Sequence, residues 1–440
     1  SAGYNVTTGY KNTYVGKDAG LGNATSTGFR NTAVGVEALK SITDGIRNTA
    51  MGDSAAINLS DAVYNTMFGA SAGAKNNHAD FNTFIGARAG FSNNVDDGTS
   101  TANRNTFIGF SNGATNETGQ DNVGMGAFSD LIGSGLSRTT YIGAKAKPGA
   151  SDVIMLGYNA TTTAQYAIGV GNNHNVAGTG AIGIGHQVAM DANSDYSVAM
   201  GHQANVSQNK AVGIGYQVNI DNTLAVAIGS SATVQGDNSI ALGANTSVTA
   251  ANAIAIGEGV SVSNANEVKI GNSSVVSIGG SVNWTATSDG RFKTNVQENI
   301  PGLSFVNKLR PVSYQFDTRK MDKFYGQPLS ENAAKNDIRY TGFIAQEVEE
   351  TAKASGYDFS GIKIPENSAT DAYGIRYAEF VVPLVKAVQE LSERAEAQQK
   401  VIDDQNKLLA ENELLIKQQK ETLSAYASTI EKLYLQVSNK

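Results

Sequence analysis

The sequence predicts a mainly β chain: a β-solenoid shaft, then a small α+β domain, then one long helix carrying a coiled-coil heptad. Three observations predict it. An apolar residue followed by Gly recurs at a fixed spacing up to Gly271. The composition changes abruptly near residue 287. Apolar residues recur every seven positions from Val381 to Val437.

The repeat comes first in the chain. Its Gly column runs through Gly16, Gly35, Gly52, Gly69, Gly86, Gly109, Gly126, Gly143 and Gly157, and on to Gly271. From Gly52 to Gly143 the step is 17, except for one of 23 at Gly86–Gly109. From Gly143 to Gly271 it is 14, except for one of 16 at Gly185–Gly201. Disordered segments keep no such register, although residues 1–287 hold 41 of the 48 Gly. Early units carry Asn-Thr pairs (Asn31-Thr32, Asn48-Thr49, Asn65-Thr66), and later ones read like Ala253-Ile254-Ala255-Ile256-Gly257. Large and small residues alternate, which is the period of a strand. A 14-residue unit is too short for a βαβ crossover and suits one solenoid coil with two short strands and two turns. Ile240, Leu242, Ile254 and Ile256 are expected to form the core. Ala241 and Ala255 are expected on a small-residue face that a neighbouring chain approaches. Asn and Gly are expected to supply the turns, since both tolerate positive φ. Seventeen coils at the strand spacing of ~4.8 Å give a rod of about 80 Å.

Four segments follow: 17-residue repeats over 1–150, 14-residue repeats over 151–287, an α+β domain over 288–377 and a helix over 378–440. In the third, Pro301 opens an apolar-periodic stretch, Val312–Phe316 alternates like a strand, and Tyr340–Glu349 reads as a strand running into a helix. Residues 319–338 and 353–370 read as polar loops. In the helix, Val381, Val388, Ala395, Ile402, Leu409, Ile416, Leu423, Ile430 and Val437 share one heptad position. That pattern predicts a coiled coil. Val388, Ile402, Leu409, Ile416, Leu423 and Ile430 are the expected trimerisation residues.

Composition narrows the function. There is no Cys, so disulfides, zinc ribbons, iron–sulfur clusters and thiol nucleophiles are excluded. A net charge of −7 argues against a general nucleic-acid binder. No apolar run reaches ~18 residues, so no helical membrane insertion is expected. No metal site or cofactor is predicted; HExxH, paired carboxylates and phosphate loops are missing from credible settings. Gly69-Ala70-Ser71-Ala72-Gly73 imitates a nucleophile elbow, but Ser71 is a repeat position. His186 and His202 each follow the repeat Gly, Tyr216 follows the next one, and the three are expected to stack on adjacent coils. Trp284 is expected to pack the end of the shaft.

Asn238-Ser239-Ile240-Ala241-Leu242-Gly243 and its neighbours resemble the head repeats of YadA-like trimeric autotransporter adhesins. The resemblance implies a left-handed parallel β-roll with three chains side by side. Ser288-Asp289-Gly290-Arg291-Phe292-Lys293, Leu309-Arg310-Pro311-Val312-Ser313-Tyr314, Gly342-Phe343-Ile344-Ala345-Gln346-Glu347 and Tyr377-Ala378-Glu379-Phe380 occur in that order. Together they resemble the C-terminal intramolecular chaperone of phage endosialidases and tail fibres. That family implies self-cleavage of the Thr287–Ser288 bond by a dyad of Ser288 as nucleophile and Lys293 as base, with Asp289 and Gln346 in support. A lysine serves as a base only when neutral, and burial is what favours that form. The expected protein is thus a homotrimeric fibre of the phage tail-fibre type, located on the virion or a cell surface. Its partners would be its own copies and a cell-surface receptor, with a glycan as one candidate. A bacterial adhesin with an uncleaved chaperone cap is the alternative. A polysaccharide-degrading tailspike is disfavoured, because the repeats leave no room for a catalytic domain.

Overall fold

A computed structural model describes residues 1–95, 101–326, 333–369 and 371–438. Its contacts divide the chain into two compact units, Ser1–Val275 and Val276–Lys440.

The first unit is a parallel β-solenoid of 17 coils. Three-residue strands, from Thr13–Val15 to Val268–Ile270, stack into one 17-stranded parallel sheet. Each pairs residue for residue with the strand one coil on, as Ile240, Ala241 and Leu242 do with Ile254, Ala255 and Ile256. The Gly column makes that stacking possible. Gly157 sits at φ +148°, and a Cβ there would lie 1.6 Å from the carbonyl oxygen of Gly171 on the next coil. Only a residue without a side chain fits such a corner.

Coil length decides what fills the interior. From Lys147–Pro148 onward a second strand of two residues closes each coil, giving a nine-stranded parallel sheet that ends at Ser261–Val262. In these 14-residue coils the interior is narrow. It holds Ala199, Ala227, Ala241 and Ala255 from the long sheet against Val206, Ile220, Val234 and Val248 from the short one. The 17-residue coils are wider and admit rings. Phe84 and Phe107 stack at 5.4 Å. The buried Tyr141 hydroxyl donates to Asn112 Oδ1 at 3.0 Å, and a Cβ at Gly124 would strike its ring.

The structure reverses the expected sidedness of the strands. Ala241 and Ala255 are fully buried inside the coil, whereas Ile240, Leu242, Ile254 and Ile256 face outward and are half-exposed. The last residue of every strand in the long sheet lies on that outer face. All seventeen are apolar, running through Val15, Met51, Phe68 and Ile85 to Ile256 and Ile270. The first residue is mostly Thr up to Thr140 and always Val or Ile from Ile154. On the short sheet the outward column is mainly polar, with Asn175, Asn205, Asn219, Thr233 and Ser247. One flank of the roll is therefore built for water and the other is not.

The buried Asn of the Asn-Thr units makes no turn of its own. The left-handed residue is the one before it, as at Arg30, Arg47 and Tyr64. Instead the Asn side chains form an internal ladder. Asn31 Oδ1 accepts the Asn48 N–H at 2.9 Å, and Asn48 Oδ1 accepts that of Asn65 at 3.0 Å. Their amides donate onward, Asn31 to Gly45 O and Asn48 to Ala62 O, each at 2.7 Å. Backbone groups in the wide coil that a second strand would pair are satisfied this way. In the last coil Lys269 takes the interior position and donates to Ser261 O at 3.3 Å, which gives the roll a polar end.

The second unit is small and mixed. Val312–Tyr314 pairs antiparallel with Tyr340–Gly342, and the helix Ala345–Ala354 follows, as the sequence predicts. The expected loop over 319–338 contains helices at Thr318–Phe324 and Ala333–Asn336; residues 327–332 lie outside the described residues. The Asp317 side chain caps the first of these by accepting from Lys320 N, a start signal that the polar composition masks. The stretch 353–370 also carries a short strand, Ile362–Lys363, paired with Gly374–Ile375. Phe305, Val348, Ala352, Phe359 and Phe380 form the core. The helix Val381–Ser438 runs 58 residues, about 87 Å at 1.5 Å per residue.

Two predictions follow from the interior. Ala255→Leu is expected to overpack the narrow coil and cost roughly 1–3 kcal/mol. A melting curve equal to that of the parent would contradict the inward placement. The second concerns His174, which is buried with Nδ1 on Gly171 O at 3.1 Å and Nε2 unpartnered. Burial holds its pKa below the ordinary 6.5. The unfolded chain therefore takes up this proton before the folded one does. The shaft should lose stability as pH falls from about 6.5 toward the depressed folded value. His174→Val, which matches Val188 in the next coil, should flatten that part of the pH–melting profile. A variant as acid-sensitive as the parent would assign the effect elsewhere.

Candidate functional site

The segment between Val276 and Ile300 contains a single short 3₁₀ turn, Gly290–Phe292. Asp289 builds it. Its carboxylate accepts the Arg291 N–H at 2.9 Å, and the Arg291 guanidinium folds back onto both carboxylate oxygens, at 2.6 Å on the closer. The hydrogen bonds from the Arg291 side chain and then its N–H hold the Asp289 carboxyl below its ordinary range. The turn closes with Lys293 N–H on Gly290 O at 3.2 Å. This swings the Lys293 side chain back across five residues, and its Nζ lies 2.7 Å from Ser288 Oγ.

Ser288 and Lys293 thus meet, while Asp289 engages Arg291 and holds the turn. The sequence reading assigned no part to Arg291; an acidic cap two residues before a basic side chain is the signal that points to it. Gln346 is elsewhere. It lies exposed in the first turn of Ala345–Ala354 and lines an open, largely apolar cavity of about 500 Å³ with Phe316, Met321, Phe324 and Tyr373. Neither Ser288 nor Lys293 lines that cavity. Both dyad residues are exposed, so the chain by itself does not supply the burial that a lysine base requires. Trp284 is 87% exposed, against the expectation that it packs. Phe292, in the turn itself, is 74% exposed. The junction therefore presents Ser288, Lys293 and two large aromatic rings uncovered.

The other motifs of the second unit do converge. Arg310 makes a two-pronged ion pair with Glu347, one arm at 2.9 Å, and holds that carboxyl below its usual range. Phe343 stacks on Phe380 at 5.2 Å, and the Tyr377 hydroxyl accepts the Phe343 N–H. A Cβ at Gly342 would strike that hydroxyl, which explains the glycine. Glu390 of the long helix accepts the Leu303 N–H at 2.8 Å, tying the first short helix to it. Beyond these contacts the long helix stands alone, exposed from Leu391 to Ser438. Ile402 and Leu423, in the heptad column, are 48% and 66% exposed.

The side chains outside the junction follow the repeat. His186 stacks on His202 at 5.0 Å, and His202 on Tyr216 at 5.2 Å. Ser71 sits at φ +54°, in the same column as Ser54 and Arg88. Among the described residues no cluster of His, Asp and Glu could hold a metal ion, and no helix is long and apolar enough to cross a membrane.

The chain thus combines a repetitive parallel β-solenoid with a small α/β region and a long C-terminal helix whose heptad column is exposed. Comparison with known families agrees. Residues 288–357 match the family model described as the chaperone of endosialidase. Residues 192–217, 222–246 and 235–259 match the YadA head domain repeat. The chain thus carries YadA head repeats and, C-terminal to them, an endosialidase-type chaperone domain. Both kinds of family imply homotrimers, and proteins of these kinds are extracellular or virion-associated. No curated protein matches the chain.

Proposed function

We propose that the chain is one third of a homotrimeric fibre, of the phage tail-fibre type, that attaches its bearer to a cell surface. The supporting observation is the unbroken outward column of seventeen apolar residues on one flank of the roll. Leaving Val, Ile, Leu, Met and Phe half-exposed in every coil forgoes roughly 1 kcal/mol at each. Three rolls packed flank to flank would recover it. The polar short sheet would then face outward. Trimerisation along the large-residue flank thus replaces the small-residue contact expected from sequence.

Assembly would start at the other end. The heptad column from Val388 to Ile430 would form a parallel three-chain coiled coil and bring the chaperone domains together. Parallel, long-range strand pairing is slow and exposes edges. Three tethered chains raise the effective concentration at which the shaft zips.

Cleavage would follow assembly. A neighbouring chain would bury the Ser288–Lys293 pair and favour neutral Lys293. The amine then takes the Ser288 hydroxyl proton as Oγ attacks the Thr287 carbonyl carbon. The peptide C–N bond breaks, and the Ser288 nitrogen leaves as an amine carrying the proton. Water hydrolyses the resulting ester, which frees the Thr287 carboxylate and restores the hydroxyl. A fibre that has lost its template would be kinetically trapped. The head repeats favour a second reading, a bacterial adhesin that keeps its chaperone as a cap.

Two experiments test these readings. Ile402→Asp with Ile416→Asp is expected to prevent trimers and leave the shaft aggregated. A soluble native trimer in sedimentation would remove the coiled coil from assembly. For cleavage, intact-mass analysis over days at alkaline pH should show the 153-residue piece 288–440 released from the parent. Ser288→Ala and Lys293→Ala should abolish release while trimers persist. A parent that stays full-length would leave the capped adhesin.

A further inference from the structure

The coil from Gly126 to Gly143 is the last of 17 residues, and the next has 14. The chain changes path at this step. Four positions after the column glycine, the wide coils pass through left-handed backbone, at Leu39, Ala56, Gly73, Gly90 and Gly113. Asp130 holds the same place without a positive φ and pairs forward instead. Its N–H donates to Ala146 O at 3.0 Å, and the Ile132 N–H to Pro148 O at 2.8 Å. Here the surface opens a cleft of about 430 Å³, with Ser111, Phe128, Asp130, Leu131, Ile132 and Lys147 from three successive coils in its lining.

Phe128 departs from the repeat. It sits two residues after its column glycine, where every other non-glycine residue from Asp18 to Asn245 is polar: Ser54, Ser71, Arg88 and Ser111 precede it, and Lys145, Asn159 and Asn173 follow. A column of polar residues is one that faces water, so shaft packing does not call for a ring there. The ring is 58% exposed, and among the described residues its one ring contact is with Phe110, at 5.1 Å and inclined by 67°. Lys145, next in the column, lays its ammonium over the Tyr158 ring at 5.6 Å instead. Polar groups of both kinds converge beside Phe128. Asp130 Oδ1 accepts the N–H groups of Leu131 at 2.9 Å and Thr115 at 3.2 Å. These bonds fix the carboxylate and leave Oδ2 without a hydrogen bond among the described residues. Burial pushes this carboxyl's pKa up, against the pull of the two N–H donors and of Lys147. Ser111 and Lys147 add a hydroxyl and an ammonium from the coils on either side.

We propose that this cleft binds a pyranose unit of a cell-surface glycan, which makes it the receptor site of the attachment reading on which it rests. A sugar ring has an apolar face of C–H bonds and a rim of hydroxyls that both donate and accept. Phe128, Leu131 and Ile132 suit the face, Asp130 Oδ2 accepts from the rim, and Lys147 and Ser111 donate to it. One carboxylate and one ammonium leave the lining uncharged as a whole, which suits a neutral sugar. The volume is at the lower end of the roughly 300–1,000 Å³ of small-ligand clefts, so it takes the end of a glycan rather than a long run of it. A neighbouring copy is the weaker occupant. The flank assigned to intersubunit packing is the outer face of the long sheet, whereas Phe128 and Asp130 follow the end of their strand, Val123–Met125, in a column that is polar elsewhere.

The test uses the full chain with two single variants. Phe128→Ser installs the residue that Ser54, Ser71 and Ser111 place in the same column. Asp130→Asn keeps an oxygen for Thr115 and Leu131 and removes the charge. The probes are the methyl glycosides of glucose, galactose, mannose, N-acetylglucosamine, N-acetylgalactosamine and glucuronate, titrated in saturation-transfer NMR. The parent should bind at least one neutral glycoside. Each variant should bind it roughly tenfold more weakly at unchanged sedimentation mass. Three results would overturn the proposal: no neutral glycoside bound by the parent, equal dissociation constants in the parent and both variants, or dissociation of a variant's assembly, which would make the cleft an intersubunit contact. Binding of the glucuronate glycoside alone counts with the first. Adsorption of the parent to whole bacterial cells, measured in parallel, separates the readings. A parent that adsorbs but binds no neutral glycoside loses this site and keeps its attachment role. A parent that binds a glycoside through Phe128 and Asp130 but adsorbs to no cells keeps the site and loses that role.

Discussion

The narrow interior of the 14-residue coil is the constraint on which the rest depends. Two short strands that close on each other leave a narrow interior filled mainly by Ala, Gly, Val and Ile, as at Ala241 and Val248. A core of that size buries too little apolar surface to hold a long rod of single chains. The large residues are therefore displaced to the outer flank, which in the proposed trimer is covered by the neighbouring rolls. The same need recurs in the second unit, where the long helix leaves Leu391 through Ser438 uncovered. On the proposed trimer, a shaft and a helix that each leave apolar residues exposed would fold together with their assembly, and the chaperone-type domain that separates them in the sequence would serve that step.

Much of this fold was legible in the sequence, because a solenoid writes its period into the chain. The Gly column, the coil lengths and the strand positions all followed from spacing. The direction of the strands did not. Alternation states that Ile254 and Ala255 lie on opposite faces, and it is silent on which face is inside. Burial usually belongs to the larger residue, and here coil volume overrides that preference. The function of the buried Asn was hidden for a similar reason. Asn31 and Asn48 look like turn formers, but the wide coil uses them as internal hydrogen-bond partners in place of a second strand.

At the junction, the family resemblance pointed to the pair and to Asp289 but assigned no part to Arg291. Ser288 and Lys293 meet because five residues span a capped 3₁₀ turn, and that cap depends on Arg291 as much as on Asp289. Burial of the lysine is a tertiary property that five residues cannot carry, and this chain leaves Lys293 open. Gln346 belongs to the chaperone motifs by order in the chain, yet it lines a different cavity. Arg310 and Glu347, each quoted within a motif but given no role there, are what link two of those motifs. Their ion pair is exposed, so it orients the strand and helix more than it stabilises them.

The claim that everything else rests on is that three rolls cover one another's apolar flank. Sedimentation equilibrium of the full-length Ser288→Ala chain measures it without the complication of cleavage. The account predicts a single species of three times 45.9 kDa that persists on dilution. A stable, folded species of 45.9 kDa would contradict it, because the outward column would then be tolerated in water and the shaft would need no partner.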